Sequence, residues 1–207
     1  LIDGYTGNVT SLPIELAERD TVKWSSNGTY LVVEADLKDT IYTCINLYDV
    51  DTSEWISPES IACEVKDWVI LADDSQLFYI TEDEQMAILW LFEIGSKSTR
   101  KLYETRKGDT INDVGLSSLE LSPNQRHLSM REYDYILGGT LNYLLVMNLE
   151  TYTHFEVVAP DPYYADYTPI WSSDELWFLI KLKDEYITTA AFPPTNHKGD
   201  VYLINAE

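Results

Sequence analysis

Short apolar runs, separated by Asn, Asp, Ser, Gly and Pro, set the pattern of this chain. Tyr30 to Ala35, Ile41 to Val50 and the pair Trp55-Ile56 form one group, broken by Asp36 to Asp39 and by Asp51-Thr52-Ser53. Runs of this length, rich in Val, Ile, Tyr and Trp, predict strands, and the polar breaks predict turns. With Val22-Lys23-Trp24 before Ser25-Ser26-Asn27-Gly28, the group reads as a four-stranded meander. The order then recurs. Trp68 to Leu71, Gln76 to Thr81, Ala87 to Ile94 and Lys101 to Glu104 make a second group. Leu119 to Leu121, His127 to Arg131, Leu141 to Leu149 and Thr153 to Val158 make a third, and Pro169 to Trp171, Leu176 to Leu182 and Asp200 to Asn205 a fourth. No stretch carries a helical period long enough for an α/β fold, and Glu15 to Arg19 offers at most one turn.

Two rulers give the repeat length. Aligning Trp24, Leu71, Leu121 and Trp171 gives steps of 47, 50 and 50, and aligning Ile2, Val50, Ile94, Leu149 and Ile204 gives 48, 44, 55 and 55. A period of this size with four short strands is the mark of propeller blades. The predicted fold is all-β, a β-propeller of about four blades, each a four-stranded antiparallel meander. The repeats run over approximately 14–60, 61–107, 108–160 and 161–207, with 1–13 as the end of a preceding or closing blade. Residues 200–207 match 1–3 in phase, so two arrangements are open: a four-bladed ring, or a segment of a larger propeller, which is the favoured one.

The residues of the turns carry a resemblance to a known repeat. Trp24-Ser25-Ser26-Asn27-Gly28-Thr29-Tyr30-Leu31-Val32 and Leu121-Ser122-Pro123-Asn124-Gln125 resemble the Trp-Ser-Pro-Asp-Gly core of the TolB-type, WD40-like (PD40) β-propeller repeat. Leu47 to Thr52, Val146 to Thr151 and Val201 to Glu207 are similar to its second segment. Copy two, Leu71-Ala72-Asp73-Asp74-Ser75, departs from the pattern, as does copy four, which has Glu175 in place of Gly. The Gly-His and Trp-Asp signatures of WD40 repeats proper are absent. The resemblance implies a bacterial, often extracytoplasmic setting. The motif also has a physical sense: Ser, Asp and Asn side chains bond nearby amides in a tight turn, and the Trp before it packs between blades.

Charge narrows the partners. Thirty-five acidic residues against 14 basic give −21, a field that repels phosphate backbones and excludes nucleic acid as a partner. A protein or peptide, with a basic one suiting the charge, is the expected partner. No apolar run is long enough to span a membrane as a helix. Cys44 and Cys63 lie too far from other ligand residues for a zinc site; a disulfide and two buried thiols both suit them, and unpaired thiols are the expectation.

The chemistry-bearing motifs are few. There is no Gly-x-Ser-x-Gly elbow, no phosphate-cradling loop, and His127, His154 and His197 have no ligand spacing. No metal or cofactor is expected. Asp49-x-Asp51-x-Ser53-Glu54 lacks the Gly and the last carboxylate of a calcium loop, and a turn explains it. Lys97, Arg100, Lys101, Arg106 and Lys107 read as a charged guard on an edge strand. The Pro-stiffened stretch 160–169 gathers Tyr163, Tyr164, Asp166 and Tyr167, and these four are the candidate binding residues. The expected function is a non-catalytic binding scaffold. The alternatives are a lyase or glycosidase using channel carboxylates, signalled by buried acids of raised pKa, and the regulatory propeller of a peptidase.

Overall fold

The computed structural model describes residues 20–36, 43–56, 64–83, 85–106, 114–136, 139–157, 165–182 and 201–206. Every regular element among them is a strand. Unit 1 holds β1 (Thr21–Trp24), β2 (Tyr30–Asp36), β3 (Thr43–Asp49) and β4 (Glu54–Ile56). Unit 2 holds β5 (Val65–Ile70), β6 (Gln76–Glu82), β7 (Met86–Glu93) and β8 (Ser98–Arg106). Unit 3 holds β9 (Val114–Leu121), β10 (His127–Ile136), β11 (Gly139–Asn148) and β12 (His154–Val157). Unit 4 holds β13 (Ala165–Trp171), β14 (Trp177–Leu182) and β15 (Val201–Asn205). Within each unit consecutive strands pair antiparallel, and units 1 and 2 also touch through the pair Thr43↔Val65.

Alternation along each strand sends one face toward the preceding unit and the other toward the next. Val32, Leu47 and Ile56 meet Leu77 and Tyr79 between units 1 and 2. Phe78, Ile80 and Leu89 meet Leu128, Met130 and Leu145 between units 2 and 3. Leu144 and Val146 meet Phe178 and Ile180 between units 3 and 4. Among the described residues the core is therefore three apolar layers between the four units, and the outer face of unit 1 also buries Leu31, Val33 and Tyr48.

The observed strands are longer than predicted where the alternation breaks. Register shifts interrupt β5 between Val65 and Asp67, the β9–β10 pair between Ser129 and Arg131, and the β13–β14 pair between Asp166 and Ile170. Ser118 has φ 60°, so the chain in β9 makes a bulge there, and Leu116 and Leu119 both end buried. Such insertions hide a strand from a period-two reading. They also carry β13 into the Tyr-rich stretch expected to be a loop, since Ala165 to Thr168 are strand.

Hydrogen bonds correct the repeat alignment in copy two. Ser25, Leu71, Ser122 and Ser172 each donate their N–H to the residue five positions on, Tyr30, Gln76, His127 and Trp177. Leu71 therefore stands in the Ser position, and Ile70, not Leu71, is the equivalent of Trp24. The true steps are 46, 51 and 50. A second correction concerns the cysteines: Cys44 is disulfide-bonded rather than a free thiol. The chain's other cysteine, Cys63, lies outside the described residues.

Arg100, Lys101 and Arg106 lie on β8, the edge strand of its sheet, where cations oppose strand addition. Asp49 Oδ1 accepts the N–H groups of Asp51 and Thr52 at 2.9 and 3.0 Å, so the calcium-like stretch is a side-chain-capped turn.

Candidate functional site

All four punctuation turns place one residue in the left-handed region. It is Gly28 (φ 80°), Asp74 (55°), Gln125 (58°) and Glu175 (58°). Only the first is glycine, and the other three use their side chains. Asp74 accepts a hydrogen bond from Ser25 Oγ in the preceding turn. Gln125 Oε1 accepts from Ala72 N at 2.6 Å, because Leu71 has no hydroxyl to offer. Glu175 accepts from Ser122 Oγ at 2.8 Å and from Asn124 N. Each turn thus reaches back one unit. Asn27 and Asn124 reach forward, donating to the carbonyls of Asp73 and Ser173. The result is a polar belt across the ends of the sheets, with Asp74 and Glu175 almost fully buried in it. Charged acceptors of this kind contribute about 1.5–3 kcal/mol each when buried.

A cleft of about 600 Å³ opens beside the belt, between the turns of units 2, 3 and 4. His127 and Glu175 line its floor. His127 is 8% exposed, stacks on Trp171 at 5.1 Å between centroids, and holds Nδ1 3.7 Å from Glu175 Oε2. Composition and spacing marked neither residue. The signal that could have found Glu175 is a carboxylate in the position that elsewhere carries Gly28. Ser122, His127 and Glu175 do not make a nucleophilic triad, because the Ser hydroxyl donates to the carboxylate rather than to the imidazole.

A second cluster sits where β5 bulges. Lys66 donates to Glu82 and to Tyr133 Oη, and its ammonium lies 4.8 Å from the Tyr133 ring centre. Burial pulls the Lys66 pKa down, but Glu82 and Tyr133 more than offset it and hold it above the usual value. Gly115, opposite Tyr133 in the sheet, has no Cβ, and so leaves room for the phenol to lie across it. Asp67 accepts from Trp68 N and Leu119 N, tying unit 2 to unit 3. Next to them Glu34 accepts from Thr21, from Lys23 at 2.9 Å and from Trp68 Nε1 at 2.6 Å. Burial raises the Glu34 pKa, but these three donors outweigh it and hold the carboxyl below its ordinary 4.5.

The sign of that shift gives a testable consequence. A carboxylate with a lowered folded pKa contributes stability above its unfolded pKa, and the contribution is lost as pH falls through the folded value. Glu34→Gln is therefore expected to flatten the acid limb of a stability–pH curve below about pH 4.5. Urea midpoints across that range would show it; an unchanged slope would remove Glu34 from the account.

The four residues predicted to bind are only partly within view. Asp166 and Tyr167 lie on β13, and Tyr163 and Tyr164 lie outside the described residues. His154 is exposed and packs edge-on against Tyr103, while His197 lies outside the described residues. No helix among the described residues is long and apolar enough to cross a membrane.

Comparison with known proteins places this architecture. The chain is similar to dipeptidyl peptidase 4 of Porphyromonas gingivalis, with a TM-score of 0.60 and 10% identity over 77% of this chain and 28% of that one. It is similar to an oligogalacturonate lyase solved with manganese (TM-score 0.57, 13% identity, 88% of this chain and 48% of that one). It is also similar to the β-propeller domain of the Trilobed protease from Pyrococcus furiosus, which has an open velcro topology (TM-score 0.54, 14% identity, 92% and 56%). The chain thus spans between about a quarter and about half of the length of these structures. No protein-family model and no curated protein matches it. The shared feature is the β-propeller fold.

Proposed function

We propose that this chain is a non-catalytic binding scaffold, four consecutive TolB-type blades of a larger propeller. The observation that carries the non-catalytic reading is the state of its buried and half-buried acids. Glu34 is held ionised by three donors, Glu82 is paired with Lys66, Glu175 has both oxygens occupied in the belt, and Asp74 accepts from Ser25 through one oxygen while its Oδ1 is buried without a partner. A lyase or glycosidase needs a carboxyl free to donate or take a proton near neutral pH, and Glu34 is shifted the other way.

The larger-propeller reading rests on the outer flanks. The residue before each turn faces the preceding blade, as Ile70, Leu121 and Trp171 do; Trp24, in the same position, is 51% exposed, although Leu31, Val33 and Tyr48 on the same flank are buried. On the opposite flank Ile170 and Leu203 are each 63% exposed. In a four-bladed ring these flanks would cover one another. Blade boundaries near 14–60, 61–107, 108–160 and 161–207 go with this reading, as does a contact surface that includes Tyr163, Tyr164, Asp166 and Tyr167 for a protein or peptide, with basic partners favoured by the charge of −21. The disulfide at Cys44 supports an oxidising, extracytoplasmic compartment.

The experiment is a turnover assay. The purified chain is incubated with polyuronate, aryl-glycoside and peptide substrates beside the Glu34→Gln and Glu82→Gln variants. No turnover above the variants is expected. Turnover that either substitution abolishes would establish the enzyme instead.

A further inference from the structure

The cleft beside the belt offers more than the belt uses. Arg126 lines it, and its guanidinium makes no hydrogen bond or ion pair among the described residues. Gln125 also lines it. Because its Oε1 is taken by Ala72 N, its amide nitrogen is the end left to donate. Asn148 is oriented in the same way. Its Oδ1 accepts from Glu150 N and Thr151 N at 2.9 and 3.1 Å, which leaves Nδ2 as donor. Three donors, one of them an unpaired cation, thus converge on one cleft of an otherwise strongly acidic protein. Leu149 and Leu176 supply an aliphatic wall, and the exposed Glu150 carboxylate is an acceptor at the rim. Glu175, on the floor, already has both oxygens occupied.

We propose that this cleft binds the C-terminal carboxylate of a peptide that ends in an aliphatic residue. The guanidinium and the two amides take the carboxylate, in the fork geometry for which Arg is suited. The leucines take the last side chain, and Glu150 accepts an N–H from the peptide backbone. That last acceptor is what separates a peptide end from a simple carboxylic acid. The cleft's volume falls in the range of small-ligand sites. The inference names the ligand of the scaffold proposed above, and rests on that reading.

The test is titration calorimetry with N-acetyl-Ala-Leu, its C-terminal amide and isovalerate. The free acid is expected to bind about tenfold more tightly than the amide, as loss of a charge-assisted contact requires. Arg126→Gln is expected to weaken the acid by a similar factor, whereas Lys101→Gln on β8 leaves it unchanged. Arg126 is exposed, so circular dichroism of that variant should match the parent. Equal binding of acid and amide, indifference to Arg126→Gln, absence of binding, or isovalerate binding as well as the peptide would each overturn the proposal. None of these would make the chain an enzyme, so the scaffold reading is judged separately by the turnover assay.

Discussion

Glu175→Ala is expected to destabilise the fold by about 3 kcal/mol. Its carboxylate is 1% exposed and closes the hydrogen-bonding of Ser122 Oγ and Asn124 N. Alanine leaves the buried Ser122 hydroxyl without its acceptor, at about 1–3 kcal/mol, and takes away the charged partner of the Asn124 N–H as well. The left-handed backbone at φ 58° contributes little to the difference, since neither Glu nor Ala is at ease there. Glu175→Gln keeps an acceptor of nearly the same shape and is expected to lose about 1 kcal/mol. Gln125 does the equivalent work one turn earlier. Urea unfolding of the three proteins gives the order wild type, Gln, Ala. Indistinguishable midpoints for Ala and wild type would mean that the belt contributes nothing.

The second large effect is at Gly115. A Cβ built there stands 2.9 Å from Tyr133 Cε2 and closer still to the phenolic end. The ring is 7% exposed and is pinned by Lys66 and Glu82, so it cannot simply rotate away. Gly115→Ala is expected to cost about 3 kcal/mol, at the upper end of overpacking. The cause is separable. In a Tyr133→Ala background the same Gly115→Ala change should cost close to nothing, because the clashing ring is gone. Thermal unfolding of the four proteins measures the coupling, and an equal cost in both backgrounds would assign the effect to the backbone instead.

The two substitutions differ in how visible their sites are in the sequence. Strands, turns and the repeat were legible because burial on both faces and tight turns leave strong local patterns. What was lost depended on contacts between units. The one-residue offset at Leu71 is invisible to a motif that expects Ser, since only the hydrogen bond to Gln76 shows which residue fills the position. The bulges at Lys66 and Ser118 shift the period within a strand and truncate the predicted elements. Cys44 read as a small hydrophobe, because spacing alone does not say which cysteines meet in space. Nothing local to Glu175 or Asp74 marks either as buried. A position that elsewhere demands glycine is an unlikely place to look for a buried carboxylate, and its partner lies a whole repeat away in the chain.

That partnership is the centre of the account, in which successive blades are joined by a side chain from each turn to the turn before. A double-mutant cycle on Ser122→Ala and Glu175→Ala in urea tests it most directly. The two losses are expected to overlap, with a coupling above about 1 kcal/mol. Losses that simply add, to within about 0.5 kcal/mol, would contradict it.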